Sequence, residues 1–394
     1  MSRWLKVILG DVMMTDIDAI LSSELGSVNL AGVYGFGRGL FKRGPMSPID
    51  TTYKAYHRLH AGDFVISTPK AWEGAITRIP EEFDGWFLSP VFPTFKADSN
   101  LLDTRYLDWY CKCEFVWSEL RFKAKGIGAR RESVTAAQFL SLEIPLPSLN
   151  EQRVIVDLLD TVAEKVRQIE TRLDEIEADA ERLLAICFRE AIEGAESLTM
   201  SEVAPLVRRE IEIDIEDSYP ELGIRSFGKG TFHKPPLAGS DVGTKRLYRI
   251  EPNDLLFSNV FAWEGAIAVV KAKDAGRFGS HRFIACVADP VKTSPEFLHY
   301  YFLSPEGLEK IGKASPGGAG RNRTLGLTKL MDLQIPIPSL TKQQAFDKLQ
   351  SKVAAIKAKH QKTRQELKAL LPSMLEQIFT ASGVGRNKTF VGYV

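Results

Sequence analysis

The sequence repeats itself at a constant offset of 191 residues, and this duplication constrains the fold more than any other feature. The hexapeptide Ala-Trp-Glu-Gly-Ala-Ile occurs at residues 71–76 and returns unchanged at residues 262–267. At the same offset the glycine-rich segment 36–39 (Phe-Gly-Arg-Gly) corresponds to 227–230 (Phe-Gly-Lys-Gly), without any gap. A unit of this length is too long for a solenoid repeat, so the pattern predicts a duplicated domain.

Each copy begins with short alternating apolar runs and ends in a long helix. Runs such as residues 62–67, separated by Gly and Pro, are typical of strands and turns. Residues 151–193 contain neither Pro nor Gly. Apolar or small residues recur there in alternating steps of four and three, at Val162, Val166, Ile169, Leu173, Ile176, Ala180, Leu183 and Cys187. This spacing predicts the seam of a coiled coil.

The second copy repeats the helix with the opposite charge. Its seam consists of Phe346, Leu349, Val353, Ile356, His360, Thr363, Leu367, Leu370 and Met374. Residues 151–193 carry 12 acidic and 6 basic side chains, whereas residues 342–379 carry 3 acidic and 8 basic ones. We therefore expect the two helices to pair with each other rather than with another chain. Pro372 predicts a bend near Leu371.

These patterns predict an α+β chain in which two tandem globular domains are separated by two long helices that form an antiparallel coiled coil with pseudo-twofold symmetry. The expected segments are a first globular domain at 1–150, a helix at 151–193, a second globular domain at 194–341, a helix at 342–380 and a loosely held tail at 381–394. The sequence shows no signal peptide and no apolar stretch of membrane-spanning length, so we expect a cytoplasmic protein without a membrane partner. The cysteines, at Cys111, Cys113, Cys187 and Cys286, are expected to be reduced and packed.

Signatures of catalysis are missing from the sequence. The glycine cluster at 35–39 lacks a third glycine at the spacing of a dinucleotide-binding loop, and no P-loop pattern occurs. There is also no Asn/Asp-Pro-Pro-aromatic tetrapeptide of the kind expected in an amino-methyltransferase. Trp72 and Trp263 are expected to lie in the core, and Glu73 and Glu264 to make structural hydrogen bonds. The sequence therefore predicts a chain that is not itself an enzyme.

Basic residues gather in glycine-rich and aromatic segments that correspond between the copies, although the net charge is only +1. One cluster is Arg38, Lys42 and Arg43, matched by Lys229, His233 and Lys234. The other is Arg121, Lys123, Lys125, Arg130 and Arg131, matched by Lys310, Lys313, Arg321, Asn322 and Arg323. Such side chains on loops suit contacts with DNA phosphates and base edges. The alternative is a surface that is merely soluble.

Several motifs together resemble the DNA-specificity subunit of type I restriction-modification systems. They are the opening residues 9–12 (Leu-Gly-Asp-Val), residues 62–67 (Gly-Asp-Phe-Val-Ile-Ser), the Trp-Glu-Gly-Ala turn and residues 144–152 (Ile-Pro-Leu-Pro-Ser-Leu-Asn-Glu-Gln). The second copy departs from the last motif, because Lys342 stands where the family tends to have Glu. This leaves the start of the second helix open.

The resemblance implies two target-recognition domains, each of which recognises one half of a bipartite, gapped site in double-stranded DNA. Two methyltransferase subunits would bind the helices, and a restriction subunit can join them. S-adenosylmethionine would belong to the methyltransferase, and ATP and Mg to the restriction partner, with no cofactor or metal in this chain. Because the copies differ in their loops, we expect an asymmetric site. Two alternatives stay open: a non-catalytic protein-protein scaffold with duplicated ligand-binding domains, and an enzyme whose site is assembled in space.

Overall fold

The computed structural model describes residues 4–47, 52–124, 133–317 and 323–380. The chain divides into two compact units, unit 1 (Met1–Leu173 with Gln361–Val394) and unit 2 (Asp174–His360). Each unit holds one sequence copy together with one section of each long helix.

Unit 1 contains eleven described strands, three short helices and the start of a long helix. The strands are β1 (Lys6–Ile8), β2 (Met13–Thr15), β3 (Asp18–Leu21), β4 (Val28–Val33), β5 (Leu40–Met46), β6 (Ala55–Arg58), β7 (Phe64–Ile66), β8 (Ile76–Arg78), β9 (Phe87–Leu88), β10 (Thr94–Ala97) and β11 (Glu143–Pro145). The helices are α1 (Thr104–Cys111), α2 (Glu114–Lys123), α3 (Ala136–Leu140) and the long α4 (Leu149–Ile192), which continues into unit 2. The strands form sheets in the orders β2-β10-β7-β8, β3-β6-β9-β4-β5 and β1-β11.

Unit 2 repeats this plan. Its strands are β12 (Glu196–Thr199), β13 (Leu206–Val207), β14 (Ser218–Ile224), β15 (Thr231–Ala238), β16 (Leu247–Arg249), β17 (Asp254–Ser258), β18 (Ile267–Val269), β19 (Phe278–Ser280), β20 (Phe283–Val287) and β21 (Gln334–Ile337). The helices are α5 (Met200–Val203), α6 (Gly239–Val242), α7 (Pro295–Leu303), α8 (Pro305–Ala314), α9 (Leu327–Met331) and the long α10 (Leu340–Thr380). The sheet orders are β13-β20-β17-β18, β15-β14-β19-β16 and β12-β21. They match those of unit 1 except that β3, at the edge of the five-stranded sheet, has no counterpart among the described strands of unit 2, so the predicted duplication is confirmed.

The central strand β7 explains why each globular copy holds together. Phe64 and Ile66 point into the main core of unit 1, whereas Val65 packs on the other face with Leu59 and Leu88. All three strand residues are fully buried. A strand covered on both faces is apolar throughout, and this accounts for the run of apolar residues in the Gly-Asp-Phe-Val-Ile-Ser motif.

A buried glutamine fixes the start of each long helix. The Nε2 group of Gln152 donates to the carbonyl oxygens of Leu101 and Pro147 at 2.8 and 2.9 Å. In unit 2, Gln343 Nε2 donates to Lys292 and Pro338 in the same way. Each long helix begins two residues earlier than predicted. The residue before each helix is a serine, Ser148 or Ser339, and its carbonyl oxygen accepts a hydrogen bond from the backbone N–H of the glutamine.

The loss of the family's Glu in the second copy does not delay the helix. In unit 1, Glu151 and Ser148 form a reciprocal cap, since the Ser148 N–H donates to the Glu151 carboxylate at 3.1 Å. Lys342 cannot accept this bond. The helix nevertheless begins at Leu340. The buried Gln343 side chain holds the first turn, because it donates a hydrogen bond to the Pro338 carbonyl oxygen and is fully enclosed by its neighbours.

The two long helices pack beside each other within each unit. In unit 1, Val156 and Leu159 near the start of α4 share the core with Leu375 and Phe379 near the end of α10. In unit 2, Leu184 and Phe188 near the end of α4 share the core with Phe346 and Val353 near the start of α10. The pairing is therefore antiparallel, as predicted. α10 continues through Pro372 to Thr380, and the bend near Leu371 stays a prediction.

The seam predicted for the last turns of α4 holds at Ala180 and Cys187, which pack against the core of unit 2, and is wrong at Ile176 and Leu183. Leu183 and Ile176 are 48% and 47% exposed, whereas Leu184 and Phe188 are buried. The Phe188 ring lies 4.8 Å from that of Tyr300 in α7 as well as contacting α10. The helix therefore turns its buried face toward the globular copy, and a seam calculated for two helices alone misses this third neighbour.

Opposite charges on the helices do meet, as their composition suggested. In unit 2, Lys357 Nζ lies 2.7 Å from Glu181 Oε1 and His360 Nδ1 lies 3.0 Å from Glu177 Oε1. Exposed pairs of this kind contribute only a few tenths of a kcal/mol each. Apolar burial thus contributes more to the pairing. Within the described ranges, no helix is both long enough and apolar enough to cross a membrane.

Candidate nucleic-acid interface

A tight glycine turn links β4 to β5 in unit 1 and is held by backbone hydrogen bonds. The N–H groups of Phe36 and Gly37 donate to the carbonyl oxygens of Glu73 and Gly74 at 2.7 and 2.9 Å. Phe36 and Gly37 both have a positive φ. The turn is therefore fixed to the Ala-Trp-Glu-Gly-Ala segment, and the two most conspicuous motifs of the sequence form one structural feature.

The same feature recurs in unit 2 between β14 and β15. The N–H groups of Phe227 and Gly228 donate to Glu264 and Gly265 at 2.8 and 2.9 Å. The φ angles of Phe36 and Phe227 are 61° and 62°, so the two turns have the same conformation at this residue.

Both turns hold a phenylalanine in a conformation that suits glycine better. A left-handed backbone costs a residue with a side chain about 1–2 kcal/mol. The Phe36 and Phe227 side chains recover little of this by burial, since the residues are 62% and 75% exposed. The strain is therefore maintained by the hydrogen bonds of the turn, and it leaves an aromatic ring in solvent in each unit.

A cation lies beside each exposed ring. In unit 1 the Arg38 guanidinium lies 4.7 Å from the centre of the Tyr34 ring and 5.9 Å from that of Phe36. Its Nε donates to the Gly35 carbonyl oxygen at 3.0 Å, so its position is fixed. In unit 2, Lys229 Nζ lies 5.8 Å from the Phe227 ring centre. Arg38 and Lys229, predicted from sequence, thus occupy equivalent positions.

A second pair of cations lies over the tryptophan rings of the repeated hexapeptide. Trp72 is buried, as predicted, and Trp263 is half-buried. The Arg121 guanidinium lies 4.5 Å from the Trp72 ring centre, and that of Arg323 lies 5.2 Å from the Trp263 ring centre. Within the first hexapeptide, Gly74 lies against a further tryptophan, Trp117, and only glycine fits there because a Cβ would lie 2.5 Å from the Trp117 ring.

The remaining described candidates differ in how freely they can contact a ligand. Lys42 and Arg43 are exposed on β5, and Lys234 is half-buried on β15. Lys123 lies near the Glu119 carboxylate and the Ser141 carbonyl oxygen, at 3.6 and 3.4 Å.

His233 is partly committed to the fold. Its Nε2 lies 2.9 Å from the buried Asp274 carboxylate, which also accepts a bond from Thr231 Oγ1 at 2.9 Å. Burial alone would raise the pKa of Asp274, but the hydrogen bonds from His233, Thr231 and the Lys271 N–H together lower it. The other face of the His233 ring remains accessible, since the side chain is 41% exposed.

A basic pocket adjoins each glycine turn at equivalent residues. The pocket of unit 1 has a volume of about 370 Å³ and that of unit 2 about 350 Å³. The charged side chains of the first are Arg38, Arg78, Arg105, Lys112, Asp108 and Asp160, and those of the second are Lys229, Lys271, Lys273 and Glu296. Basic groups outnumber acidic ones in both. The lining of each pocket thus has an excess of basic groups, although Arg105 pairs with Asp103, Lys112 with Asp108 and Lys271 with Glu296.

Part of this arrangement was not predicted from the sequence, and several of the predicted residues lie outside the described part of the chain. Lys125, Arg130, Arg131, Arg321 and Asn322 fall in that undescribed part. The exposed rings of Phe36 and Phe227 were missed, as were the pocket residues Arg78 and Lys271. The Phe-Gly-x-Gly spacing shared by residues 36–39 and 227–230 was a usable signal for the rings, because two closely spaced glycines indicate a tight turn.

No catalytic or metal-binding arrangement stands out in the described part of the chain. Glu73 pairs with Lys70 at 2.9 Å, and Glu264 accepts a hydrogen bond from Ser226 at 3.1 Å, which confirms their structural role. Cys111 and Cys113 are buried, and burial raises the pKa of each thiol. Among the described residues, no group of three or more His, Cys, Asp or Glu side chains is placed to hold a metal ion.

Residues 61–178 match the family model of the type I restriction modification DNA specificity domain. The chain is also 24% identical, over 281 residues, to the type I restriction enzyme StySPI specificity subunit of Salmonella potsdam. That similarity covers 62% of this chain and only 57% of the relative's length.

Solved structures show the same fold. The HsdS subunit from Thermoanaerobacter tengcongensis superposes with a TM-score of 0.61 at 20% identity, covering 96% of this chain and 97% of that one. A chain from a structure of the type I R-M system, describing complex assembly and conformational transition, gives a TM-score of 0.68 at 21% identity. The match covers 95% of this chain and 97% of that one.

Proposed function

From the similarity of this chain to the type I restriction-modification DNA specificity family, we propose that it selects the DNA sequence on which a partner methyltransferase acts. The observation that carries the proposal is the duplicated interface. Each unit has the same strained turn, with an exposed ring, a neighbouring cation and a basic pocket. Two such interfaces in one chain suit a bipartite site in double-stranded DNA.

The two halves of the site are expected to differ in sequence. The turn carries Arg38 in one copy and Lys229 in the other, and a planar guanidinium and a compact ammonium group bind different partners. The site is therefore asymmetric and gapped. Under this proposal residues 1–150 and 194–341 are the target-recognition domains, and the segments 151–193 and 342–380 separate them.

The methyl-transfer chemistry belongs to partner subunits in this proposal. S-adenosylmethionine is bound by the methyltransferase, and ATP and Mg²⁺ by a restriction subunit where one joins. The chain itself is a non-catalytic subunit. The scaffold alternative is not favoured, because the matched family is defined by DNA specificity.

The long helices offer a surface for two methyltransferase subunits. In unit 2, Ile176, Leu183 and Ile186 of α4 are each between 45% and 48% exposed. Apolar side chains that recur on an exposed helix face indicate a protein contact. We assign this face of α4 to a methyltransferase subunit.

The proposal is tested by mapping methylated bases in genomic DNA of the host with and without this gene, using long-read sequencing. We expect a split, gapped motif to lose methylation on deletion and to regain it when the gene is returned on a plasmid. An unchanged methylation map, in a host whose methyltransferase is active on DNA, would contradict the proposal.

The assignment of DNA-contacting residues needs a separate measurement. We expect Arg130→Ala with Arg131→Ala to weaken binding at the first half-site, measured by fluorescence anisotropy of the complex on a duplex carrying the motif. An equal loss on all sequences, with a shallower salt dependence, identifies phosphate contacts rather than base contacts. Lys348→Ala, on the long helix and outside both clusters, is the control, and unchanged affinity of the arginine variant would refute the assignment.

A further inference from the structure

We propose that Phe36 and Phe227 are wedges that insert between neighbouring base pairs, one in each half of the DNA site. This inference rests on the proposed function and adds to it how the duplex is deformed. Among the described residues, three that are not glycine have a positive φ: Phe36, Phe227 and Asn253. Asparagine often adopts this conformation, whereas a bulky aromatic residue rarely does. The two exceptions are equivalent residues of the two copies.

The structure presents each ring at a fixed point. The turn on either side of Phe36 is anchored to Glu73 and Gly74 by backbone hydrogen bonds, and that around Phe227 is anchored in the same way. Glycine at this residue would keep those backbone bonds without strain. The Phe36 ring makes one edge-to-face contact within the chain, to Trp117 with ring centres 6.1 Å apart. Because Phe36 and Phe227 are nevertheless 62% and 75% exposed, a strained phenylalanine in both copies is explained by what its ring contacts outside the chain.

The neighbourhood of each ring favours DNA over protein as the partner. A cation lies 5.9 Å from the Phe36 ring centre and 5.8 Å from the Phe227 ring centre. A ring inserted at a base step comes close to the flanking phosphates, which Arg38 and Lys229 can then contact. Lysine is depleted in the cores of protein interfaces, so a ring with a lysine beside it suits a polyanion better.

The wedge is expected to be independent of base sequence. The same residue stands in both copies although their half-sites differ, and stacking on a π face does not distinguish bases strongly. Unstacking a step also lowers the cost of extruding a nearby base, which a DNA methyltransferase must do to reach its target atom. The turns therefore deform both half-sites, and other residues identify them.

The test uses the full chain in complex with its co-expressed methyltransferase subunits and a duplex that carries the methylated motif. A fluorescent base analogue, 2-aminopurine for adenine or pyrrolocytosine for cytosine, is placed in turn along each half-site, except at the methylated base, which the methyltransferase itself extrudes. We expect several-fold higher fluorescence at one step per half-site when the wild-type complex binds. Phe36→Ala removes the increase in one half-site only, and Phe227→Ala removes it in the other only, so each variant is the control for its counterpart.

Other outcomes overturn the inference in distinguishable ways. If the wild-type complex binds the motif but no position increases in fluorescence, or if the increases survive in both variants, the wedge is wrong and DNA recognition stands. If the wild-type complex does not bind the motif, the proposed function itself fails. If a variant loses methyltransferase subunits on gel filtration, the rings contact protein instead.

A stability measurement separates the wedge from a structural role. Phe227→Gly relieves the backbone strain and removes only an exposed ring, so we expect its melting temperature to equal or exceed that of the wild type while the fluorescence increase is lost. A drop of several degrees would show that the ring supports the fold. Val291→Ala removes another exposed apolar side chain of unit 2 and should leave both measurements unchanged.

Discussion

At the scale of single residues, His299 makes the stability of unit 2 depend on pH. His299 is half-buried in α7, and its Nε2 lies 3.2 Å from the Ile267 carbonyl oxygen. Burial lowers the pKa of His299 below its usual 6.5. Between the folded and unfolded pKa values the unfolded chain binds more protons, so the free energy of unfolding rises with pH in that window. Stability is therefore complete above pH 6.5 and falls as the pH drops below it.

The substitution His299→Gln tests this prediction because an amide keeps a donor for the carbonyl oxygen and does not titrate. We expect thermal unfolding of the variant, followed from about pH 5 to 7.5, to depend less on pH below 6.5 than that of the wild type. His281→Gln, at an exposed histidine, should keep the wild-type dependence. A slope that is unchanged in the His299 variant would contradict the prediction.

The buried glutamine at the start of α10 is a second determinant at this scale. Gln343→Leu leaves the carbonyl oxygens of Lys292 and Pro338 without their donor, and the Thr293 hydroxyl without its acceptor. Unsatisfied buried groups of this kind cost about 1–3 kcal/mol each. We expect the free energy of unfolding in urea to fall by about 2–4 kcal/mol. Gln344→Leu, at the exposed next residue, should change it by less than about 0.5 kcal/mol, and equal effects would show that the buried bonds contribute little.

At the scale of elements, two nearby residues of α4 should contribute to stability in the reverse order to that expected from the predicted seam. Phe188 is buried among Phe297, Tyr300 and Phe346, so Phe188→Ala should lower the free energy of unfolding by about 3–5 kcal/mol. Leu183→Ala, at a half-exposed side chain, should cost less than about 1 kcal/mol. Chemical denaturation monitored by circular dichroism measures both. A larger loss for Leu183 would restore the four-three seam as the packed face.

The contrast between these two residues shows which elements could be predicted from the sequence. Helix length and order follow from local composition, such as the absence of Pro and Gly from residues 151–193. The face that a helix buries depends on its neighbours, and Tyr300 lies more than a hundred positions away from Phe188 in the sequence. Charge complementarity between the helices was predictable because it needs no register. The rotation of α4 was not.

At the scale of the whole molecule, the duplication made much of the candidate site predictable. Equivalent residues occupy equivalent positions, so Arg38 and Lys229 were found together by comparing the copies. The rings of Phe36 and Phe227 were missed because exposure and a positive φ depend on hydrogen bonds to residues some 37 positions further along, at Glu73 and Glu264. The glycine turn and the Ala-Trp-Glu-Gly-Ala-Ile segment occur at the same separation in both copies, and this was the remaining signal that the two segments are in contact.

The duplication also makes the chain modular in a way that can be measured. Each globular copy joins its long helix through the same two-stranded pair and the same buried glutamine, so an exchange near Leu149 and Leu340 preserves these contacts. We expect a chain in which residues 194–341 are replaced by the first copy to direct methylation to a site with two identical half-sites, both taken from the first half of the parental motif. Long-read methylation maps measure this, and the parental gene serves as the control. The exchanged chain lacks the second copy, so separate recognition by each copy leaves it unable to recognise the second parental half-site. Methylation of the unaltered parental motif by this chain would therefore mean that recognition does not reside in the separate copies.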